Sequence, residues 1–304
     1  MVDFINHWRS RTGLPTKIFL RGLGIRRERF YQWELRYGKK NEHNGLIPKE
    51  HQISDAECQR IIGFYNQNSL DGYRRLTYLM IDRDVAYVAP STTYRVLLRA
   101  GLIRHKQRKI SKKGTGFVHP LAPHQHWHVD ITYIKICGVF YYLILVLDGY
   151  SRFIVSWDLR EKMTEADVEI VIQKGLEAFP GVTPRIISDN GAQFTCKEFK
   201  EFLKVVGMSH VRTSPYYPQS NGKLERCNKT LKEFLIAMCI ADYEDGKRIL
   251  GAIIHDYNTE RLHSSIGYVT PKDKLYGDDV RILAERKAKI ERAKAERKAN
   301  RRKE

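Results

Sequence analysis

The sequence predicts an α/β domain, a five-stranded mixed sheet flanked by helices, behind two all-α units. Three observations carry this. Three β-rich runs and then alternating helix and strand segments fill the middle of the chain, the order that makes a mixed sheet with helices on its faces. The first hundred residues read as short helices joined by tight turns, the shape of helix-turn-helix units. The charge is lopsided: 53 Lys and Arg against 35 Asp and Glu give +18. A surplus of that size favours a polyanionic partner, nucleic acid first.

At 304 residues, 42% hydrophobic, the chain is long enough for two or three domains with a real core. The longest stretch free of Asp, Glu, Lys, Arg and His, residues 136–147, is too short to cross a bilayer, so no membrane partner is expected. Residues 1–11 hold no apolar h-region, so no secretory signal is expected. Cys58, Cys137, Cys196, Cys227 and Cys239 include no pair at zinc-ribbon spacing. An odd, scattered set reads as free thiols in a reducing cytoplasm.

Residues 1–45 form the first helix-turn-helix, with helices over 16–23 and 26–37. Phe30, Trp33 and Leu35 are expected inward, and Arg26, Arg27 and Arg29 outward toward DNA. Residues 50–103 form the second. Ser54 and Glu57 make a capping box, Tyr73 opens a helix, and Pro90 opens another that Gly101 ends. That last helix is expected to turn Thr92, Thr93, Arg95 and Arg99 toward a DNA groove. Residues 104–122 read as a basic linker in which Arg104, Lys106, Arg108 and Lys109 track phosphates. Residues 279–304 read as a basic tail without an apolar stripe, ordered on DNA.

Residues 123–278 form the α/β core. Strands are expected at 126–136, 139–147, 152–160, 184–188 and 210–212, and helices at 165–179, 197–206 and 223–239. Trp127, Trp157 and the Phe140-Tyr141-Tyr142 run are expected in the core. On the last helix Leu224, Cys227, Leu231, Leu235 and Met238 make the buried stripe, while Glu225, Lys229 and Lys232 share the opposite face.

Three acids stand out. Asp130 lies within the first strand on a face with His128 and Thr132. Asp189 directly follows the fourth strand. Glu225 lies in the first turn of the long helix. Carboxylates gathered at one sheet edge raise each other's pKa unless metal compensates them, and hard oxygen ligands suit Mg²⁺, with Mn²⁺ as a substitute. Two such ions can activate a nucleophile and stabilise the leaving oxygen of a phosphodiester. Taken singly, any of these acids reads as an ordinary strand end or helix-dipole partner. His119, His124, His126 and His128 cluster too, but a zinc site needs further ligands in reach. Asp148 reads as a turn residue.

The spacing and the local words lift the three acids above that reading. Asp130 precedes Asp189 by 59 positions, and 35 residues separate Asp189 from Glu225. Around them stand Trp127-His128-Val129-Asp130-Ile131-Thr132, then Ser188-Asp189-Asn190-Gly191 with Phe194-Thr195, then Ser214-Pro215-Tyr216-Tyr217-Pro218-Gln219-Ser220-Asn221-Gly222-Lys223-Leu224-Glu225-Arg226. Residues 123–275 thereby resemble the catalytic core of the retroviral-integrase and DDE-transposase superfamily. Tyr257-Asn258-Thr259-Glu260-Arg261-Leu262-His263-Ser264-Ser265 with Thr270-Pro271 is similar to the closing motif of bacterial insertion-sequence transposases, family three in particular. Leu23-Gly24-Ile25 with Phe30-Tyr31-Gln32-Trp33 looks like the start of that group's second reading frame, and Gly72-Tyr73-Arg74-Arg75 like part of its second helix-turn-helix. The chain departs from retroviral integrases in lacking their N-terminal two-His, two-Cys zinc domain, and no heptad run marks its first fifty residues.

The resemblance implies a ribonuclease H-like fold and Asp130, Asp189 and Glu225 as catalytic residues holding Mg²⁺ or Mn²⁺, two ions per site. It implies DNA strand cleavage and 3′-OH strand transfer on duplex DNA, at the element's terminal inverted repeats and at a target. Lys229 and Lys232 are then contacts to the reacting DNA end. A homo-oligomer, at least a dimer, follows from bringing two ends together, and a bacterial, nucleoid-associated location follows from the substrate. The alternative is a catalytically inactive DNA-binding regulator derived from a transposase. A tyrosine recombinase is the weaker reading of His105-Lys106-Gln107-Arg108, which stands without a matching arginine or tyrosine context. A nuclease acting on RNA–DNA hybrids shares the sheet, but two helix-turn-helix units favour duplex DNA.

Overall fold

The computed structural model describes residues 1–38, 52–68, 71–104, 119–212 and 222–301. The chain divides into two compact units, residues 1–52 and 53–304.

The first unit packs α1 (Val2–Thr12), α2 (Thr16–Gly22) and α3 (Arg27–Leu35) around Val2, Ile5, Leu20 and Phe30. Gly13 and Gly24 adopt left-handed backbone, the conformation that ends a helix sharply. Phe30 is buried and Trp33 partly so. Leu35, expected inward, is 76% exposed. It is the last residue of α3, beyond the reach of α1 and α2.

The second unit begins with α4 (Asp55–Gln67), α5 (Tyr73–Asp82) and α6 (Pro90–Arg99). The Ser54–Glu57 capping box forms as its spacing predicts. Ile61, Leu76, Met80 and Leu97 fill the space between the helices. Thr93, expected to face a groove, is fully buried. It stands three and four residues before Val96 and Leu97, on the inward face of α6, and its hydroxyl meets that of Thr77 at 2.8 Å.

The sheet runs β3-β2-β1-β4-β5. β1 (His126–Ile136), β2 (Val139–Asp148) and β3 (Ile154–Arg160) form an antiparallel meander, and β4 (Arg185–Ser188) and β5 (His210–Arg212) add in parallel to β1. On one face α7 (Glu165–Ala178) and α9 (Lys197–Val205) cover Trp127, Val129, Ile144 and Val146; between them in sequence lies the short α8 (Ala192–Thr195). On the other face α10 (Gly222–Ile236) and α11 (Tyr243–Thr259) cover Ile134, Ile136, Leu143 and Leu145. Gly246 lets α11 approach closely, since a Cβ there would lie 2.5 Å from Ile136 Cδ1. Phe140, expected in the core, is 61% exposed, because it stands near the hairpin tip. Met238 is exposed too, because α10 ends at Ile236.

Two helices complete the unit: α12 (Pro271–Tyr276) and α13 (Asp279–Arg301). The latter corrects the basic-tail reading. It is a 23-residue helix held by ion pairs from Arg286, Lys289 and Arg297 to Asp82, Asp84 and Glu57. A stripe of cations does the work that an apolar stripe does elsewhere. Among the described residues no helix is long and apolar enough to cross a membrane.

Candidate active site

Backbone register brings the first two acids together. In the parallel pair, His128 stands opposite Ile187. Two residues further on come Asp130, within β1, and Asp189, just past the end of β4, at corresponding positions and with the same parity. The two carboxylates interact electrostatically: burial, and then the charge of Asp189, push Asp130 up to about 6. Asp189 is half-buried, and its Oδ1 accepts from the backbone N–H of Gly191 at 2.9 Å, a local turn that fixes the side chain where the strand ends.

The third acid comes from α10. That helix lies along β1 with Glu225, Asn228, Lys229 and Lys232 toward the strand, the three- and four-residue spacing of one helix face. Asn228 Nδ2 donates to Asp130 Oδ2 at 2.7 Å, and Lys232 Nζ donates to Thr132 Oγ1 at 2.7 Å. The Oδ1 of Asn228 is buried without a hydrogen-bond partner. Between helix and strand lies a cavity of about 480 Å³ lined by Asp130, Thr132, Glu225, Asn228, Lys229 and Lys232, among others. Glu225 is exposed. Asp130 thus pairs with Asp189 through charge and shares a cavity wall with Glu225. Among the described residues, no three His, Cys, Asp or Glu side chains converge closely enough to hold a metal ion. The same statement covers the histidine cluster.

The donor set nevertheless fits a hard divalent cation. Asp130 and Asp189 offer oxygen ligands within electrostatic reach of each other, and a cation would relieve the burial and the repulsion by Asp189 that together raise Asp130. His128 is buried behind this pair, and burial, with Lys223 and Arg152 nearby, pushes it down to about 2, so it stays neutral. Lys223, at the start of α10, is pushed down to about 8 by burial and by Arg152, and its Nζ donates to the Gly149 carbonyl. Asp148, expected in a turn, is instead the buried last residue of β2, and it accepts from the His124 and Ser151 backbone N–H groups.

Asn228 was not legible as a site residue. Its signal lies in the helical period alone, three residues after Glu225 and four before Lys232. Among the basic residues, Arg26, Arg27 and Arg29 are exposed at α3, and Arg27 and Arg29 lie over the rings of Tyr31 and Trp33. Arg95 and Arg99 are exposed on α6, and Arg104 just beyond it. Lys229 is exposed and lies 3.9 Å from Glu233. Lys106, Arg108 and Lys109 lie outside the described residues, as does His105.

Comparison with known proteins identifies the chain's relatives. A family model described as integrase core domain matches residues 120–218, and a second model of the same description matches residues 206–271. The transposase for insertion sequence element IS904 of Lactococcus lactis subsp. lactis (strain IL1403) is 30% identical over 182 residues, covering 56% of this chain and 72% of that protein. The Gag-Pol polyprotein of avian reticuloendotheliosis virus is 31% identical over 120 residues, covering 39% of this chain but only 10% of the polyprotein. Likeness to solved structures is weaker. The HTLV-2 integrase catalytic core domain in complex with magnesium (trimeric form) gives a TM-score of 0.42 at 20% identity, covering 51% of this chain and 97% of that one. The simian T-cell lymphotropic virus intasome in complex with the PP2A regulatory subunit B56 gamma gives 0.47 at 17%, covering 72% and 74%.

Proposed function

The chain belongs to the family of transposases and integrases built on the DDE integrase core, with its ribonuclease H-like sheet, and from that premise we propose that it cuts and joins the ends of an insertion sequence. As an enzyme it is a polynucleotidyl transferase. The observation that carries the finer reading is Asp130 on the central strand, within electrostatic reach of Asp189 and lining a cavity whose other wall supplies Glu225 and two lysines.

In this reading Asp130, Asp189 and Glu225 hold Mg²⁺ or Mn²⁺, two ions per site. Bound there, the metal supplies Lewis-acid activation of the attacking hydroxyl and charge stabilisation at the leaving oxygen. The chain's own residues bind and orient. Asn228 fixes the Asp130 carboxylate. Lys232, tethered to Thr132, and Lys229 offer ammonium groups to the phosphates of the reacting end. Water is the nucleophile that leaves a 3′-OH, and that 3′-OH then attacks a target phosphate in line; no covalent protein–DNA bond is needed. Arg26, Arg27 and Arg29 on the first helix-turn-helix, Arg95 and Arg99 on the second, and Arg104 at the start of the basic linker contact the terminal repeats. Phosphate contacts of this kind make binding fall steeply with salt. Synapsis of two ends calls for at least a dimer, and the work is done on bacterial DNA in the cytoplasm.

Asp189→Asn tests this directly. The variant is expected to bind end DNA in EDTA as the wild type does and to cut nothing in Mg²⁺. Normal cutting by the variant removes Asp189 from the site. A regulator derived from a transposase is the second reading, favoured by the exposed position of Glu225. It predicts binding without cutting by the wild type itself.

A further inference from the structure

The helix α13 grips the α4–α6 unit with a row of cations. Arg286, Lys289, Ala293 and Arg297 recur at spacings of three and four, so they share one face along about 17 Å of helix. Arg286 is the hub, its side chain 5% exposed. Its Nε and Nη2 donate to the two carboxylate oxygens of Asp82 at 2.7 and 2.6 Å, and its Nη1 donates to the Tyr268 carbonyl at 2.8 Å. Its guanidinium lies over the ring of Tyr78, which stacks on Tyr268 at 4.9 Å. Lys289 pairs with Asp84. Arg297 Nη2 donates to Glu57 Oε1 at 2.6 Å and to the Tyr87 carbonyl at 2.9 Å. From the other side, Arg75 Nε on α5 donates to the Leu262 carbonyl at 2.9 Å.

The acids are oddly placed for any other purpose. Asp82 and Asp84 stand at the C-terminal end of α5, where the helix dipole disfavours negative charge. Asp84 also holds a left-handed backbone at φ 54. Opposed cations are what make those positions favourable. The joint also encloses a cavity of about 310 Å³ lined by Asp82, Leu262, Thr270 and Arg286, among others. Directed polar contacts, rather than close apolar packing, therefore set its angle.

What the joint holds matters for the reaction. α6, with exposed Arg95 and Arg99, packs on α4 and α5 and is tied to α5 by the Thr77–Thr93 bond. α13 continues from α12, which packs on α11, which covers the sheet face carrying Asp130. We propose that Arg286, supported by Lys289 and Arg297, is a positioning residue that fixes the register between the DNA held on α6 and the acids Asp130 and Asp189, and so determines which phosphodiester is cut. This rests on the reading under Proposed function.

Cut-site mapping tests it. End-labelled element-end DNA would be incubated in Mg²⁺ with the wild type, Arg286→Ala, Arg297→Ala and Asp82→Asn, and the products resolved to single nucleotides. Circular dichroism and DNA binding in EDTA would confirm that each variant is folded and bound. Misplacement of about 1 Å can cost about 100-fold in rate. The expected result for Arg286→Ala is a loss of that order at the wild-type bond, with new cuts at neighbouring bonds, and a smaller spread for Arg297→Ala and Asp82→Asn. A merely structural role predicts a lower melting temperature and less product at the same bond. That pattern, in either arginine variant, overturns the proposal. A wild type that cuts nothing defeats the underlying reading instead, and the wild-type lane alone reveals it.

Discussion

Asp130→Asn should make the second unit more stable in metal-free buffer while ending catalysis. Burial and the neighbouring Asp189 lift the Asp130 carboxyl from 3.8 to about 6. A raised acid is penalised when charged. The penalty is absent below 3.8, grows between the two values, and is fully present above about 6. At 1.36 kcal/mol per pKa unit the ceiling is about 3 kcal/mol. Partial solvent access to the half-buried carboxyl brings the expected effect to about 1–3 kcal/mol. Asparagine has the same shape, and its Oδ1 keeps an acceptor for Asn228 Nδ2, now 2.7 Å from Asp130 Oδ2. The assay is urea unfolding in EDTA at pH 8 and pH 4, followed by the fluorescence of Trp127, which is fully buried on the opposite sheet face. The variant should gain stability at pH 8 and match the wild type at pH 4. Adding Mg²⁺ should narrow the gap, because a ligand bound to the folded state stabilises it by mass action. A variant no more stable than the wild type at pH 8 would refute the view that this acid pair is held at a cost that a cation offsets.

Other substitutions probe the frame around the site. Thr93→Val should cost about 1 kcal/mol through loss of the 2.8 Å bond to Thr77, read by thermal melting, with DNA affinity unchanged because the hydroxyl is buried. Gly246→Ala should cost about 1–3 kcal/mol by overpacking Ile136, and Ile136→Val, which removes the clashing Cδ1, should recover part of it in the double variant. Burial alone would raise Asp158, but Lys247 and Lys174 hold it low. Its stabilisation is present above the ordinary carboxylate value and lost as pH falls through the lowered one. Asp158→Asn should therefore cost about 1–2 kcal/mol at pH 7 and progressively less in acid, read by urea titration across pH.

Much of the core was legible because its signals are local. The alternation of residues 126–136 predicts β1 to the residue, and the turn at Cys137 and Gly138 is left-handed at both positions, as a tight hairpin requires. The level at which Asp130 meets Asp189 follows from the parallel register of β1 and β4, which neither strand's own sequence sets. What escaped depends on partners far away in sequence. The tail was unreadable as a packed helix because Arg286 and Arg297 look like solvated charge until Asp82 and Glu57, more than two hundred positions earlier, are set against them. Thr93 looked like a groove contact because a threonine pair buried between helices leaves no apolar pattern. Leu35 and Phe140 were placed inward by composition, yet both stand near the ends of their elements and are largely exposed.

In the proposed reading Asp130, Asp189 and Glu225 form one metal-dependent centre for DNA strand cleavage. End-labelled DNA from both flanks of the gene, incubated with the protein in Mg²⁺, in EDTA, and with Glu225→Gln in Mg²⁺, tests it most directly. The expected result is cleavage or joining at a fixed boundary in Mg²⁺ only, lost in the variant although its DNA binding persists. Binding without cleavage by the wild type across pH, or cleavage that survives Glu225→Gln, would contradict it.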